Sequence, residues 1–182
     1  MNVMIVNGNP DPDSGFDARL SRLAESARAR GDRVQEFTLR ELSIAQCVGC
    51  FGCWVKTPGI CVFRDDQENI LRGYVAADLV VMASPLIMGF TSALLKRCTD
   101  RIIPVLLPFI DTSTGECRHF LRYGKAPLLA VVYAPEPDTD PEDVEIAANL
   151  WQRLARNAGS RIACFRSLEQ PLEEVWNELD RD

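Results

Sequence analysis

The stretch VMIVNGNPDPDSGFDARLSRLAESARARGDRVQEFTL, Val3–Leu39, decides the fold. It opens on four apolar residues, Val3 to Val6, the mark of a strand buried on both faces. A loop of Asn, Pro, Asp, Ser and Gly follows. Leu20, Leu23, Ala24 and Ala27 then recur at i, i+3, i+4 and i+7, which is the apolar stripe of a helix. Gly31 stands where a left-handed residue ends such a helix. The chain returns to strand character in RVQEFTL, Arg33–Leu39, whose polarity suits the edge of a sheet.

The same alternation runs outward from this unit. Apolar runs at Leu79–Ala83, Pro127–Ala134 and Arg161–Phe165 read as further strands. Asp140 is an N-cap, Pro141 opens the first turn, and Glu142 and Asp143 face the helix dipole. Val144, Ala147, Ala148, Trp151, Leu154 and Ala155 form the apolar face of that helix, and Gly159 closes it. The tail repeats the device, with Pro171 ahead of Leu172, Val175, Trp176 and Leu179. Alternating strands and helices make an α/β, doubly wound parallel sheet, which binds ligands beyond the carboxyl ends of its strands.

The chain has 182 residues, 47% hydrophobic and 25% charged, with no internal repeat and no linker-like tract, so a single domain over 1–182 is expected. No apolar run reaches the about eighteen residues that a membrane span needs. The start, MNVMIVNG, lacks the basic and small-residue features of an export signal, which implies a cytoplasmic protein whose thiols stay reduced. A formal charge of −6 argues against nucleic acid and for small molecules or proteins as partners.

The loop after the first strand, Asn7 to Leu20, carries neither G-x-G-x-x-G nor G-x4-G-K-[ST]. Opening on a helix, it can still aim free N–H groups at an anion, with Ser14 as N-cap and ligand. Asp11 and Asp13 favour the alternative, a solvated turn.

Four of the seven cysteines, Cys47, Cys50, Cys53 and Cys61, fall in CVGCFGCWVKTPGIC. Two successive C-x2-C steps make unrelated buried thiols a poor reading, although Cys98, Cys117 and Cys164 fit that description. Structural zinc commonly uses two separated C-x2-C knuckles. Three cysteines strung at this spacing are nearer the iron–sulfur pattern, in which a tight loop points thiolates at one cubane. Gly49, Gly52 and Gly59 let such a loop turn. Zinc, another metal, and a thiol/disulfide or unmetallated role stay open beside it.

Two blocks carry a family resemblance. Ile44–Asp66, IAQCVGCFGCWVKTPGICVFRDD, resembles the cysteine segment of the iron-sulfur flavoproteins, a branch of the flavodoxin-like NAD(P)H-dependent FMN reductases, in which an Asp-Asp pair also follows the last cysteine. Ala83–Arg101, ASPLIMGFTSALLKRCTDR, is similar to that family's third-strand loop and helix, with Pro85, Gly89, Ser92, Leu95, Lys96, Asp100 and Arg101 fitting. With the first loop and Gly124-Lys125, the likeness extends to about residue 134. Ser14, Gly15, Phe16 and Asp17 resemble the Ser-Phe-Asn turn of the quinone-reductase branch. Two departures stand out: acidic residues in the first loop, and Ala134-Pro135-Glu136-Pro137-Asp138 in place of a glycine-rich loop.

The resemblance implies a five-stranded sheet in the order 2-1-3-4-5 with helices on both faces. It implies an FMN-dependent oxidoreductase taking electrons from NAD(P)H or a reduced carrier and passing them on, with a 4Fe-4S cluster on Cys47, Cys50, Cys53 and Cys61. Flavin contacts fall on Asn9, Ser14, Gly15, Phe16, Asp17, Pro85, Leu86, Ile87, Met88, Gly89, Ala134 and Pro135, with Leu86, Ile87 and Met88 against the ring. No catalytic side chain is required, since the flavin carries the chemistry. The long loop 103–123 reads as a lid or a contact in a homodimer or homotetramer. Its His119, the one histidine, reads first as a hydrogen-bonded structural imidazole. A flavin-free metal or thiol-redox protein, and a non-catalytic interaction module, are the alternatives.

Overall fold

A computed structural model of the chain describes residues 1–113, 115–171, 175 and 176. Five parallel strands, β1 (Asn2–Asn7), β2 (Arg33–Thr38), β3 (Leu79–Ile87), β7 (Leu128–Ala134) and β8 (Ile162–Ser167), lie in the order β2-β1-β3-β7-β8. The expected order therefore holds, and β2 is the half-exposed edge. A two-residue strand, β4 (Phe90–Thr91), folds back antiparallel on β3.

The period-2 alternation of β1 divides the core. Met4 and Val6 face one layer with Val80, Met82, Leu129 and Val131, against α3 (Gln67–Ala76), α4 (Ala93–Thr99) and α5 (Pro141–Asn157). Val3 and Ile5 face the other with Val81, Ala130 and Val132, against α1 (Phe16–Ala29), Val175 and Trp176. The Trp176 indole donates to Ser26 Oγ at 2.8 Å. Leu172 and Leu179 lie outside the described residues.

Asp140 caps α5 as expected, through a reciprocal capping box with Asp143. Ser14 does not cap α1. The cap position belongs to Gly15, at φ 73°, while the Ser14 hydroxyl donates to Asp11 O at 2.8 Å and accepts from Asn9 Nδ2 at 3.2 Å. Ser14 stays exposed, and its Oγ also accepts from Phe16 N at 3.4 Å, so it serves the first α1 amide from one position ahead of the cap.

The segment 103–123 is not an open loop. After a short 3-10 turn at Ile103–Val105 it forms a hairpin of β5 (Leu106–Asp111) and β6 (Arg118–Leu121), braced by an Arg118–Asp111 ion pair of 2.6 Å. Ile102, Val105 and Leu106 join the core, whereas Phe109, Ile110 and Phe120 are exposed. Among the described residues no helix is long and apolar enough to cross a membrane.

Candidate functional site

The strand order reverses between β1 and β3, the point at which a doubly wound sheet offers a ligand crevice at its carboxyl edge. Gly8 N donates to Ala83 O at 2.7 Å, and Ser92 Oγ donates to Gly8 O while accepting from Leu95 N at 3.2 Å. Ser92 thus caps α4 and pins the two loops together. A Cβ on Gly8 would stand 2.7 Å from Leu95 Cβ, so glycine alone permits this approach.

Behind the first loop, Asn9 is 1% exposed and its amide donates to Asp11 O, Ser14 Oγ and Asp17 Oδ1. Asp17 also accepts from Asn7 at 2.8 Å and from Arg40 at 2.6 Å. Burial would raise its carboxyl, but the bonds from Asn9, Asn7 and Arg40 outweigh that and hold it below its ordinary value. Phe16 is core. Gly15 offers α1 no side-chain cap, Phe16 N donates to Ser14 Oγ at 3.4 Å, and open space lies over Gly15. The next first-turn N–H groups have no intrahelical partner, and Asp11 and Asp13 of the preceding loop are exposed. Arg40 is a residue that sequence reasoning missed, because a lone arginine after an edge strand carries no periodic signal.

The β3 loop is a two-residue turn in which Leu86 pairs with Thr91 and Ile87 with Phe90. Met88 and Gly89 both have positive φ, 52° and 73°, as a type I′ turn demands. A Cβ on Gly89 would lie 2.7 Å from Asp143 Oδ1. Met88 is 92% exposed at the tip, whereas Leu86 is 1% exposed. Leu86 thus offers a ligand its backbone only, because strand alternation turns its side chain into the core; Ile87 and Met88 remain for apolar contact. Pro85 stands in register with Ala134 on β7, which brings the β7 loop and Pro135 to the same edge.

The cysteine segment forms a separate site. Gly49, Phe51 and Gly59 have positive φ, and α2 (Gly52–Val55) is a single turn. Gly52 serves by space instead of φ, since a Cβ there would meet Val62 at 2.6 Å. Cys47, Cys50, Cys53 and Cys61 line one small cavity walled by Val48, Phe51, Val62, Phe63 and Ile103. Burial, and then Cys61, Cys47 and Cys50, push the Cys53 thiol up, although a backbone hydrogen bond opposes them. Among the described residues no three His, Cys, Asp or Glu side chains are set to hold a single metal ion. The thiols ring a hollow and do not converge on a point.

Trp54 Nε1 donates to Leu106 O at 3.0 Å, and its ring packs 5.1 Å from His119. His119 Nδ1 bonds Leu107 O at 2.9 Å, which fits a structural imidazole. The Asp-Asp pair closes the base of the loop: Asp66 accepts from Ser43 N at 2.7 Å, and Asp65 accepts from Ala45 N at 2.9 Å and from Arg101. Cys98 and Cys164 are buried, and burial pushes the Cys98 thiol up to about 12. Cys117, expected with them, is exposed, in the connection just ahead of β6. A second hollow of about 510 Å³, lined by Leu71, Val75, Val105 and Tyr123, shares Cys61 and Phe63 with the thiol cavity. It lies beside α3, away from the β1–β3 crevice.

An iron-sulfur flavoprotein of Methanocaldococcus jannaschii is 28% identical over 109 residues, 60% of this chain and 55% of the relative. One from Methanosarcina thermophila is 27% identical over 103 residues, 57% of this chain and 53% of the relative. The chain spans about half the length of these curated relatives. An FMN-dependent NADH-azoreductase from Bacillus anthracis, solved with FMN, superposes with a TM-score of 0.62 at 16% identity, covering 100% of this chain and 95% of that one, a likeness of fold. Residues 1–119, which hold the first loop, the cysteine segment and the β3 turn, match the NADPH-dependent FMN reductase family. The chain belongs to the NADPH-dependent FMN reductase family.

Proposed function

We propose that the chain, acting as one unit over 1–182, is an FMN-dependent oxidoreductase that takes electrons from NAD(P)H or a reduced carrier. We further propose that Cys47, Cys50, Cys53 and Cys61 hold a 4Fe-4S cluster that passes those electrons on. The carrying observation is the convergence of three loops on one edge: the α1 terminus at Gly15, the Met88–Gly89 turn pinned through Ser92 and Gly8, and Ala134 in register with Pro85.

Bound FMN supplies the hydride and electron transfer. The chain's part is to bind, orient and exclude water. First-turn N–H groups over Gly15, with Ser14 beside them, receive the phosphate at the positive end of α1. Asn9 and Asp17 stiffen that loop from behind, and Phe16 anchors it in the core. Pro85, the Leu86 backbone, Ile87 and Met88 form one wall for the ring, Gly89 keeps the turn clear of Asp143, and Ala134 and Pro135 form the other wall. No side chain here need move a proton.

Four thiols lining one cavity with apolar walls are a donor set that suits an iron–sulfur cluster. The relatives' name, iron-sulfur flavoprotein, supports the same reading. The adjoining hollow at Cys61 would admit a small apolar donor or acceptor. Free thiols suit a reducing cytoplasm. The exposed hairpin suits a homodimer or homotetramer.

Iron, sulfide and flavin analysis of anaerobically purified protein tests this reading, together with flavin reduction on adding NADPH. Bound flavin that NADPH bleaches, with iron and sulfide, is the expected result. One feature favours a second reading: Asp11 and Asp13 flank the proposed phosphate position. Iron without flavin, even after FMN is supplied, would make this a metal or thiol-redox protein instead.

A further inference from the structure

Arg101 heads the largest fully buried side chains, at 2% exposure in the residue as a whole. A guanidinium so enclosed needs partners for five N–H groups. Both of its hydrogen bonds leave from one nitrogen, Nη1, to Ala45 O at 3.1 Å and to Asp65 Oδ2. Nε and Nη2 are buried and make none. The face of Phe63 lies 5.4 Å away, and the Cys61 side chain lies against the guanidinium. The guanidinium keeps its charge at any ordinary pH, and Asp65 is its ion-pair partner. A clasp between α4 and the loop base would be complete with Nη1 alone. Two donors are left over on a guanidinium whose neighbours Cys61 and Phe63 both line the thiol cavity.

We propose that Arg101 is the buried counter-charge of the cysteine site, its Nε and Nη2 serving the Cys61 sulfur and the cluster that this sulfur ligates. The assignment rests on the cluster reading given above. A positive charge and N–H groups beside a ligating sulfur favour the reduced, more negative state and so raise its potential. Asp65 brings a negative charge to the same place and opposes that effect. Removing one or the other must therefore move the potential in opposite directions, which a merely structural clasp would not do.

The test is a midpoint potential, followed by electron paramagnetic resonance, on full-length protein reconstituted anaerobically with iron and sulfide. Arg101→Gln should shift the potential downward and Asp65→Asn should shift it upward, at an iron content near that of the parent. If Arg101→Gln fails to fold or to hold iron, the double variant Asp65→Asn/Arg101→Gln leaves no unpaired charge. It should then titrate below Asp65→Asn alone. Shifts of the same sign, or unchanged potentials, overturn the proposal while leaving the cluster standing. A parent protein that takes up no iron overturns both.

Discussion

Met88 and Gly89 hold a turn that most residue pairs would refuse, and the exposed methionine at φ 52° gains nothing for the fold by being there. Backbone strain of this kind persists where the surrounding structure imposes it, and it clusters at ligand sites. Gly89→Ala should destabilise the chain by about 1–3 kcal/mol, through positive φ and the clash with Asp143. Denaturant unfolding would read this as a lower midpoint, and an unchanged midpoint would refute the strained turn. The acidic pair in the first loop works against an anion instead. Asp13→Asn should tighten FMN binding about 2- to 5-fold at low salt, the size of a screened charge effect at a helix terminus. Equal affinity for both proteins, by fluorescence titration, would place the phosphate elsewhere.

The cysteine segment is an element in its own right, held at its base by Asp65 and Asp66 and on its flank by Trp54. If its thiols act as one unit, Cys50→Ala should abolish bound iron, whereas Cys164→Ala, a change in the core against α1, should not. Equal iron in both variants would contradict a shared cluster. The Asp65 carboxyl is held below its ordinary 3.8, since the Arg101 and Ala45 hydrogen bonds overcome the upward pull of burial. Its stabilisation is complete above that value and drains away as the pH falls toward the lower folded-state value. Asp65→Asn should therefore be less stable than the parent at pH 7, with the gap closing below about pH 4. A gap independent of pH would exclude the ion pair as its source. The Asp-Asp pair was legible only through family likeness, and the partner Arg101 only as part of a motif. What brings them together is the packing of a loop on α4, which no local period encodes.

At the scale of the molecule, sequence carried the sheet well. Val3–Val6, Leu79–Ala83 and Leu128–Ala134 announce buried strands by composition alone, and Asp140 to Gly159 announces its helix by caps. The hairpin at 106–121 was invisible as such because its first residue, Leu106, belongs to the core while Phe109, Ile110 and Phe120 are exposed. Ser14 misled for a similar reason: a serine before a helix is an N-cap by default, and only the Asn9 turn shows where its hydroxyl goes. The exposed Phe109, Ile110 and Phe120 are apolar side chains of one hairpin that a single chain leaves uncovered. Phe109→Ser/Ile110→Ser should convert a dimer or tetramer to monomer in sedimentation at micromolar concentration; a parent already monomeric would contradict an assembly through this face. The central claim is that the β1, β3 and β7 loops together hold one flavin. Its most direct measurement is the titration of FMN fluorescence with anaerobic protein at micromolar concentration. The account predicts quenching that saturates at one FMN per chain, and FMN that keeps its free fluorescence throughout would contradict it.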